Sequence, residues 1–171
     1  MAGRVRARHL TFDEERRLMT ALKKGPLCAV VIVSIHAGLR YDELLNLRKQ
    51  DVDFNRNVIN VKNSMDDQRR AVPMELIVRK TLLKLCRQIS SERIFVNHRT
   101  GAMDGSVKKT FAAACRAAGI YPLTFHDLRY TFGVRLAARG ANASKINELI
   151  GCAEARSKIN CLSIAATKSD K

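Results

Sequence analysis

The sequence lacks paired cysteines, a long apolar run and enough acidic residues to balance its basic ones. Its five cysteines stand far apart with no CxxC pair, which argues against a disulfide framework or a zinc knuckle and favours a reducing cytoplasm. The longest apolar block, residues 27–35, is too short to span a bilayer, and the N-terminus carries no signal peptide pattern. We therefore expect a soluble, cytoplasmic protein with no membrane partner.

Charge is the most unusual bulk property. The chain has 171 residues, of which 31 are Lys or Arg and 16 are Asp or Glu, giving a formal net charge of +15. A length of this order fits one domain with a genuine core. So large a positive excess favours a polyanionic partner through phosphate neutralisation and counterion release. Nucleic acid is the partner class that the composition favours.

The hydrophobic pattern predicts a mainly α fold with one small antiparallel β-sheet, an α+β class. Thr11 and Glu14 form a capping-box pattern that predicts a helix to about Lys24. Residues 27–37 are apolar almost all round, so the second helix should be buried and should end at Gly38. Further helices are expected over residues 75–89, 106–118, 125–139 and, capped by Asn142 or Ser144, up to residue 150.

The sheet is expected to be a hairpin. Residues 58–62 and 69–74 have strand character and are joined by a polar turn. The basic residues of this hairpin would enter a groove or touch phosphates. The alternative is that the hairpin is a solvent-exposed edge of the sheet. Residues 93–96 are predicted to be another short strand. The expected organisation is a basic arm over residues 1–10, one domain over 11–165 and a polar tail over 166–171.

Two short stretches carry groups that suit phosphate chemistry. His126 and Arg129 lie three residues apart on a predicted helix and so share a face, where a guanidinium fork and an imidazole would flank a phosphate. The alternative is a capping histidine beside a surface arginine. Arg40 lies in the turn after the buried helix and would project into a cleft, or else form a structural ion pair with Glu43.

Taken together, these stretches resemble a known family. Four stretches occur in the order and spacing of tyrosine recombinases: residues 37–47, residues 51–53, residues 72–74 after a basic hairpin, and residues 126–132. These phage-integrase-like enzymes cut and rejoin DNA. The resemblance covers about residues 11–165 and implies their catalytic domain, mainly helical with a small antiparallel sheet. Since few residues precede the first helix, we expect a catalytic domain alone, whether a fragment or a stand-alone chain.

The resemblance implies roles for individual residues. Arg40 matches the family's first catalytic arginine, Glu43 the acidic residue that supports it, His126 the first histidine and Arg129 the second arginine. In the family, a tyrosine attacks the scissile phosphodiester to form a 3′-phosphotyrosyl bond, while the arginines stabilise the transition state. Their charge replaces that of a metal, so we expect no metal and no cofactor.

Three family positions carry other residues here. Met65 stands at the lysine position of the hairpin, and Lys62 would substitute only if the turn were reshaped. Cys152 stands at the second histidine position and Cys161 at that of the nucleophilic tyrosine. Phosphorus prefers oxygen nucleophiles, so Cys161 is expected to be inert, and two thiols are too few for a zinc site.

The departures lead to two main functional expectations and one weaker one. The first is a recombinase-type domain for site-specific DNA integration and recombination, which binds double-stranded DNA near the nucleoid with further recombinase subunits but is impaired in strand cleavage. The second is a non-catalytic DNA-binding regulator or decoy derived from an integrase. A third, weaker expectation is that a partner subunit supplies the tyrosine in trans.

Overall fold

The structure, a computed structural model, describes residues 8–23, 25–62, 69–96 and 106–151. Its described part is mainly helical with one small antiparallel sheet, as predicted, and that sheet has three strands. None of the described helices combines the length and the apolar composition needed to cross a bilayer. The elements in chain order are α1 (Phe12–Leu22), α2 (Pro26–Ala37), α3 (Tyr41–Asn46), a 3-10 turn (Lys49–Asp51), β1 (Val52–Asp53), β2 (Val58–Lys62), β3 (Arg69–Pro73), α4 (Leu76–Gln88), α5 (Ser106–Ala117), α6 (Phe125–Ala138) and α7 (Ala143–Ile150).

The sheet contains a strand that the sequence did not reveal. The strand order is β1-β2-β3, with Val52 opposite Ile59 and Ile59 opposite Val72. These three side chains are buried and make one face of the sheet part of the core. Because β1 has only two residues, it shows no alternation from which a strand could have been predicted.

The predicted strand over residues 93–96 is wrong. That segment is held by a single bridge between Arg48 and Arg93 and by a hydrogen bond of 2.9 Å from the Ile94 amide to the Leu47 carbonyl. Ile94, Phe95 and Val96 are all buried. The segment is therefore a bent loop whose three apolar residues fill the core, and its apolar run reflects burial and not pairing in a ladder.

Helix α2 is the central element, as its composition predicted. Val30 and Val33 pack in the cluster that includes the sheet and α4, whereas Val31 and Ile35 pack in a second cluster with α1, α5 and α6. The helix ends at Gly38, whose φ of +63° is left-handed. A Cβ on Gly38 would lie 2.3 Å from a ring carbon of Phe132 on α6, so glycine also permits the close approach of α2 and α6.

The helix ends follow the predicted caps with small shifts. The capping box of Thr11 and Glu14 is present, but α1 ends at Leu22, short of the expected Lys24. Of the two caps proposed for α7, Asn142 is the one whose side chain accepts the Lys145 amide. Cys115 is buried, as expected of a cysteine in an apolar run.

Candidate active site

Arg40 is fixed by the start of α3. It is the N-cap residue of that helix, and its backbone amide donates to Glu43 Oε2 at 2.6 Å. Its Nη1 donates to Glu43 Oε1 at 3.3 Å, so the predicted ion pair is present. The Glu43 side chain is 3% exposed, whereas that of Arg40 is 34% exposed. The buried carboxylate thus holds an arginine that reaches towards the surface.

Arg129 reaches the same carboxylate from α6. This helix begins after Thr124, which forms a capping box with Asp127, and Arg129 lies in its second turn. Arg129 Nη1 donates to the Gly38 carbonyl at 2.8 Å and lies 3.9 Å from Glu43 Oε2. The structure therefore brings together the two arginines that the sequence proposed as a pair.

A third arginine, which the sequence analysis missed as a site residue, binds Glu43 most closely. Arg70 on β3 donates from Nη1 to Glu43 Oε1 at 2.8 Å and from Nη2 to Oε2 at 2.7 Å. Arg70 lies two residues before the buried Val72, on the same face of the strand, so its side chain turns inward. That spacing was the available signal. The expectation that the hairpin's basic residues face DNA or solvent is wrong for Arg70.

These four residues, here called the Glu43 cluster, also hold the end of α7. Arg70 Nε donates to the Leu149 carbonyl at 2.9 Å, Arg129 Nη2 donates to the Ile150 carbonyl, and Arg40 Nη2 donates to the Gly151 carbonyl at 2.5 Å. The last carbonyls of a helix lack intrahelical partners and carry partial negative charge, which favours such cations. Three arginines from three elements thus converge on one helix end.

The charge of Glu43 is stabilised despite its burial. Burial disfavours the ionised carboxyl, but the hydrogen bonds from Arg70 and the Arg40 amide, with the charges of Arg70 and Arg129, lower the pKa of Glu43 below its usual value. The carboxylate is therefore ionised at neutral pH. It fixes guanidinium groups that keep their charge at any physiological pH.

His126 lies one helical turn before Arg129 and is exposed. The helix is capped by Thr124, so the alternative of a capping histidine is wrong. Lys62 is exposed at the end of β2, opposite Arg69. Met65, Cys152 and Cys161 lie outside the described residues.

Tyr41, the residue after Arg40, packs among aromatic side chains. Its ring centroid is 4.7 Å from that of Phe125, and Lys108 Nζ lies 4.9 Å from the centre of the Tyr41 ring. The ring therefore helps to fix the junction of α3, α5 and α6.

The arrangement is suited to binding an oxyanion. Planar guanidinium groups held by several hydrogen bonds offer forked donors that match phosphate oxygens. Among the described residues, no group of three or more His, Cys, Asp or Glu side chains could hold a metal ion. The chemistry that these residues can support is the binding and charge stabilisation of a phosphate.

A second charged cluster shares helix α6 with the first. His36 in the last turn of α2 contacts Glu75 Oε2 through Nδ1 at 2.8 Å and Glu15 Oε1 through Nε2 at 3.0 Å. Arg135 Nη2 donates to Glu15 at 2.6 Å, and Arg139 Nη1 pairs with Glu75. We call these five residues the His36 cluster. The sequence analysis did not identify it.

The His36 cluster favours a protonated imidazole. Burial disfavours the charged ring, but the hydrogen bonds and charges of Glu15 and Glu75 outweigh it and raise the pKa of His36 above its usual value. Burial likewise opposes ionisation of both carboxyls, yet their contacts with His36 and the two arginines lower the pKa of Glu15 and of Glu75.

Known proteins are similar to this chain in sequence. The model of the phage integrase family matches residues 8–158. Tyrosine recombinase XerA of Thermococcus onnurineus is 30% identical over 152 residues, which cover 83% of this chain and 53% of that protein. The chain thus spans about half the length of this curated relative.

Solved structures share the fold. The crystal structure of XerA recombinase superposes with a TM-score of 0.75 at 28% identity, covering 94% of this chain and 57% of that one. A lambda integrase (75-356) dimer bound to a COC′ core site gives a TM-score of 0.75 at 23% identity, covering 89% of this chain and 60% of that one, and shows the fold alone. The sequence match over most of the chain, together with the shared fold, establishes that this chain belongs to the phage integrase family.

Proposed function

We propose that this chain is a DNA-binding domain of tyrosine-recombinase type that holds a backbone phosphate between Arg40 and Arg129. The observation that carries the proposal is their meeting at Glu43, although they come from the start of α3 and from α6. Guanidinium groups on rigid supports stabilise the charge of a pentavalent phosphorus transition state without reorganising. His126, exposed one turn before Arg129, is the proposed proton-handling group.

The proposed reaction is site-specific transesterification, and we propose that it is impaired here. In this reaction a phenolate oxygen forms a bond to phosphorus, the bond to the 5′ oxygen breaks, and that oxygen takes a proton as it leaves. Cys161 replaces the attacking tyrosine, Met65 the lysine that donates the proton, and Cys152 the second histidine. The groups that bind the phosphate are retained, whereas the nucleophile and the general acid are not.

The proposed partners are double-stranded DNA and further recombinase subunits, which would place the protein at the nucleoid. The net charge of +15 supports a phosphate backbone as ligand. The lambda integrase of similar fold is a dimer bound to a core site.

A second candidate is a non-catalytic regulator that occupies recombination sites. It is favoured by the combination of an intact arginine pair with a cysteine at the nucleophile position. In this case most of the DNA affinity would come from basic residues outside the Glu43 cluster. Substitution of Arg40 or Arg129 would then weaken DNA binding less than substitution of those other basic residues.

One experiment tests both candidates. Duplexes selected for binding from a random pool are nicked at successive positions, so that a cleaved fragment diffuses away and traps any covalent adduct. We expect the natural chain to bind with a steep salt dependence and to form no adduct. The triple variant Met65→Lys, Cys152→His, Cys161→Tyr should form one if the phosphate is correctly placed.

Each outcome is informative. An adduct of the natural chain that maps to Cys161 would overturn the proposed impairment. Absence of DNA binding, or binding that does not respond to salt, would overturn both candidates. A triple variant that binds but forms no adduct, with binding that is insensitive to Arg40→Ala and Arg129→Ala, would favour the regulator.

A further inference from the structure

Arg70 donates hydrogen bonds from all three of its guanidinium nitrogens, two to Glu43 and one to the end of α7. The Arg70 side chain is 9% exposed, and its two terminal nitrogens donate to the two oxygens of the Glu43 carboxylate, which is 3% exposed. Its Nε makes a further hydrogen bond of 2.9 Å to the Leu149 carbonyl on α7. A lysine could not reproduce this pattern, because its single ammonium has no planar fork.

The contacts of Arg70 with Glu43 are shorter than those of the other two arginine side chains. Arg70 lies 2.8 and 2.7 Å from the two oxygens, whereas Arg40 Nη1 is 3.3 Å and Arg129 Nη1 is 3.9 Å away. The carboxylate charge is thus neutralised chiefly by Arg70. Without it, Glu43 would draw Arg40 and Arg129 into short ion pairs, and its charge would repel a phosphate that approached them.

We propose that Arg70 is a positioning residue for phosphate binding. It neutralises the charge of Glu43, so that this carboxylate orients Arg40 and Arg129 without forming short ion pairs with them that would compete with a phosphate. The inference rests on the proposed function, in which those two arginines bind the phosphate. It adds a link between the sheet and the site, because Arg70 lies on β3 and is only five residues along the chain from position 65, where the resemblance places the family's lysine.

The test uses inorganic phosphate, which requires no knowledge of the DNA target. Phosphate is titrated into the full chain while the Nε–Hε NMR signals of Arg40 and Arg129 are followed, after assignment with single Arg→Lys variants. We expect Arg70→Ala to weaken phosphate binding about tenfold, equivalent to about 1.4 kcal/mol, and Arg70→Lys to weaken it less. Circular dichroism confirms that each variant is folded.

A double variant separates positioning from packing. If Arg70 acts by neutralising Glu43, Glu43→Gln in the Arg70→Ala background should restore most of the lost phosphate affinity, since no bare carboxylate remains. If Arg70 serves only as structural filling, the second substitution should weaken the site further. Arg79→Ala is the matched control, because Arg79 also donates to a backbone carbonyl, that of Phe54, but lies outside the Glu43 cluster.

The two proposals fail in different ways. If the Arg40 and Arg129 signals of the natural chain do not respond to phosphate, the proposed function falls and the role of Arg70 falls with it. If they respond equally in the natural chain and in folded Arg70→Lys and Arg70→Ala variants, only the positioning role is overturned. A restored affinity in the double variant, with no change in the Arg79→Ala control, supports it.

Discussion

The two charged clusters share helix α6 but place different groups at their centres. In the Glu43 cluster a carboxylate is surrounded by three guanidinium groups, and α6 contributes Arg129. In the His36 cluster an imidazole lies between two carboxylates, each paired with an arginine from further along α6. The first cluster thus has an acidic group at its centre, and the second has a basic group.

This difference separates a binding site from a structural connection. Arginine and a carboxyl of lowered pKa do not titrate near neutrality, so the Glu43 cluster presents the same charge across the physiological range. The pKa of the His36 imidazole is raised above its usual value, and the charge of the ring is satisfied by Glu15 and Glu75 within the protein. We infer that the first cluster serves a ligand and that the second joins α1, α2, α6 and the start of α4.

Removal of the central carboxylate should have the largest effect. Glu43→Gln leaves the nearly buried guanidinium of Arg70 facing a neutral amide, and breaking a buried ion pair in this way costs about 3–5 kcal/mol. We expect the free energy of unfolding, measured by urea denaturation, to fall by roughly that amount.

A glutamate of α7 provides the control for this substitution. Glu148 pairs with Lys145 on the protein surface, where ion pairs contribute about 0–1 kcal/mol. Glu148→Gln should therefore leave the unfolding free energy nearly unchanged. Equal losses in the two variants would show that Glu43 is not the centre of a buried cluster.

Two glycines, one beside each cluster, should differ in how much their substitution by alanine destabilises the fold. Gly38→Ala meets left-handed strain of about 1–2 kcal/mol and a clash with Phe132 worth about 1–3 kcal/mol. Gly140, after Arg139, has φ +90° but nothing within 4 Å of an added Cβ, so Gly140→Ala meets the strain alone. Thermal denaturation should rank Gly38→Ala well below Gly140→Ala. The reverse order would show that α2 and α6 separate without cost at Gly38.

Substitution of the imidazole should have the smallest effect and one that depends on pH. Because the pKa of His36 is raised on folding, the folded state binds the proton more tightly, and this contribution to stability is complete below the unfolded pKa near 6.5. It is lost as the pH rises through the folded pKa. The facing carboxyls, Glu15 and Glu75, have lowered pKa values and stay ionised in this window.

We therefore expect His36→Gln to lower the unfolding free energy by about 1–3 kcal/mol at pH 6, through weaker hydrogen bonds to charged partners, and by less as the pH rises. Urea denaturation at constant ionic strength across this range provides the measurement. A loss that is the same at pH 6 and pH 8 would contradict the assignment of the proton to His36.

The sequence predicted those parts of the site that depend on local pattern. Arg40, Glu43 and Arg129 lie in short motifs whose caps and turns are set by neighbouring residues, and helix α6, which carries Arg129, is found close to where the sequence pattern placed it. Their roles in catalysis stay predictions.

The missed features depend on contacts between distant parts of the chain. From sequence alone Arg70 could not be distinguished from the other basic residues of the hairpin, because the direction of its side chain depends on the pairing of β3 with β2. His36 finds its partners on α1 and just before α4, neither of which local sequence identifies. The apolar run at residues 93–96 reads as a strand because periodicity does not distinguish burial on all sides from pairing.

Helix α2 has a consequence for how the protein unfolds. Its side chains belong both to the hydrophobic cluster around the sheet and to the one formed with α1, α5 and α6. Loss of either cluster would leave an apolar helix face in water, which destabilises the other at once. The two halves should therefore melt in one cooperative transition.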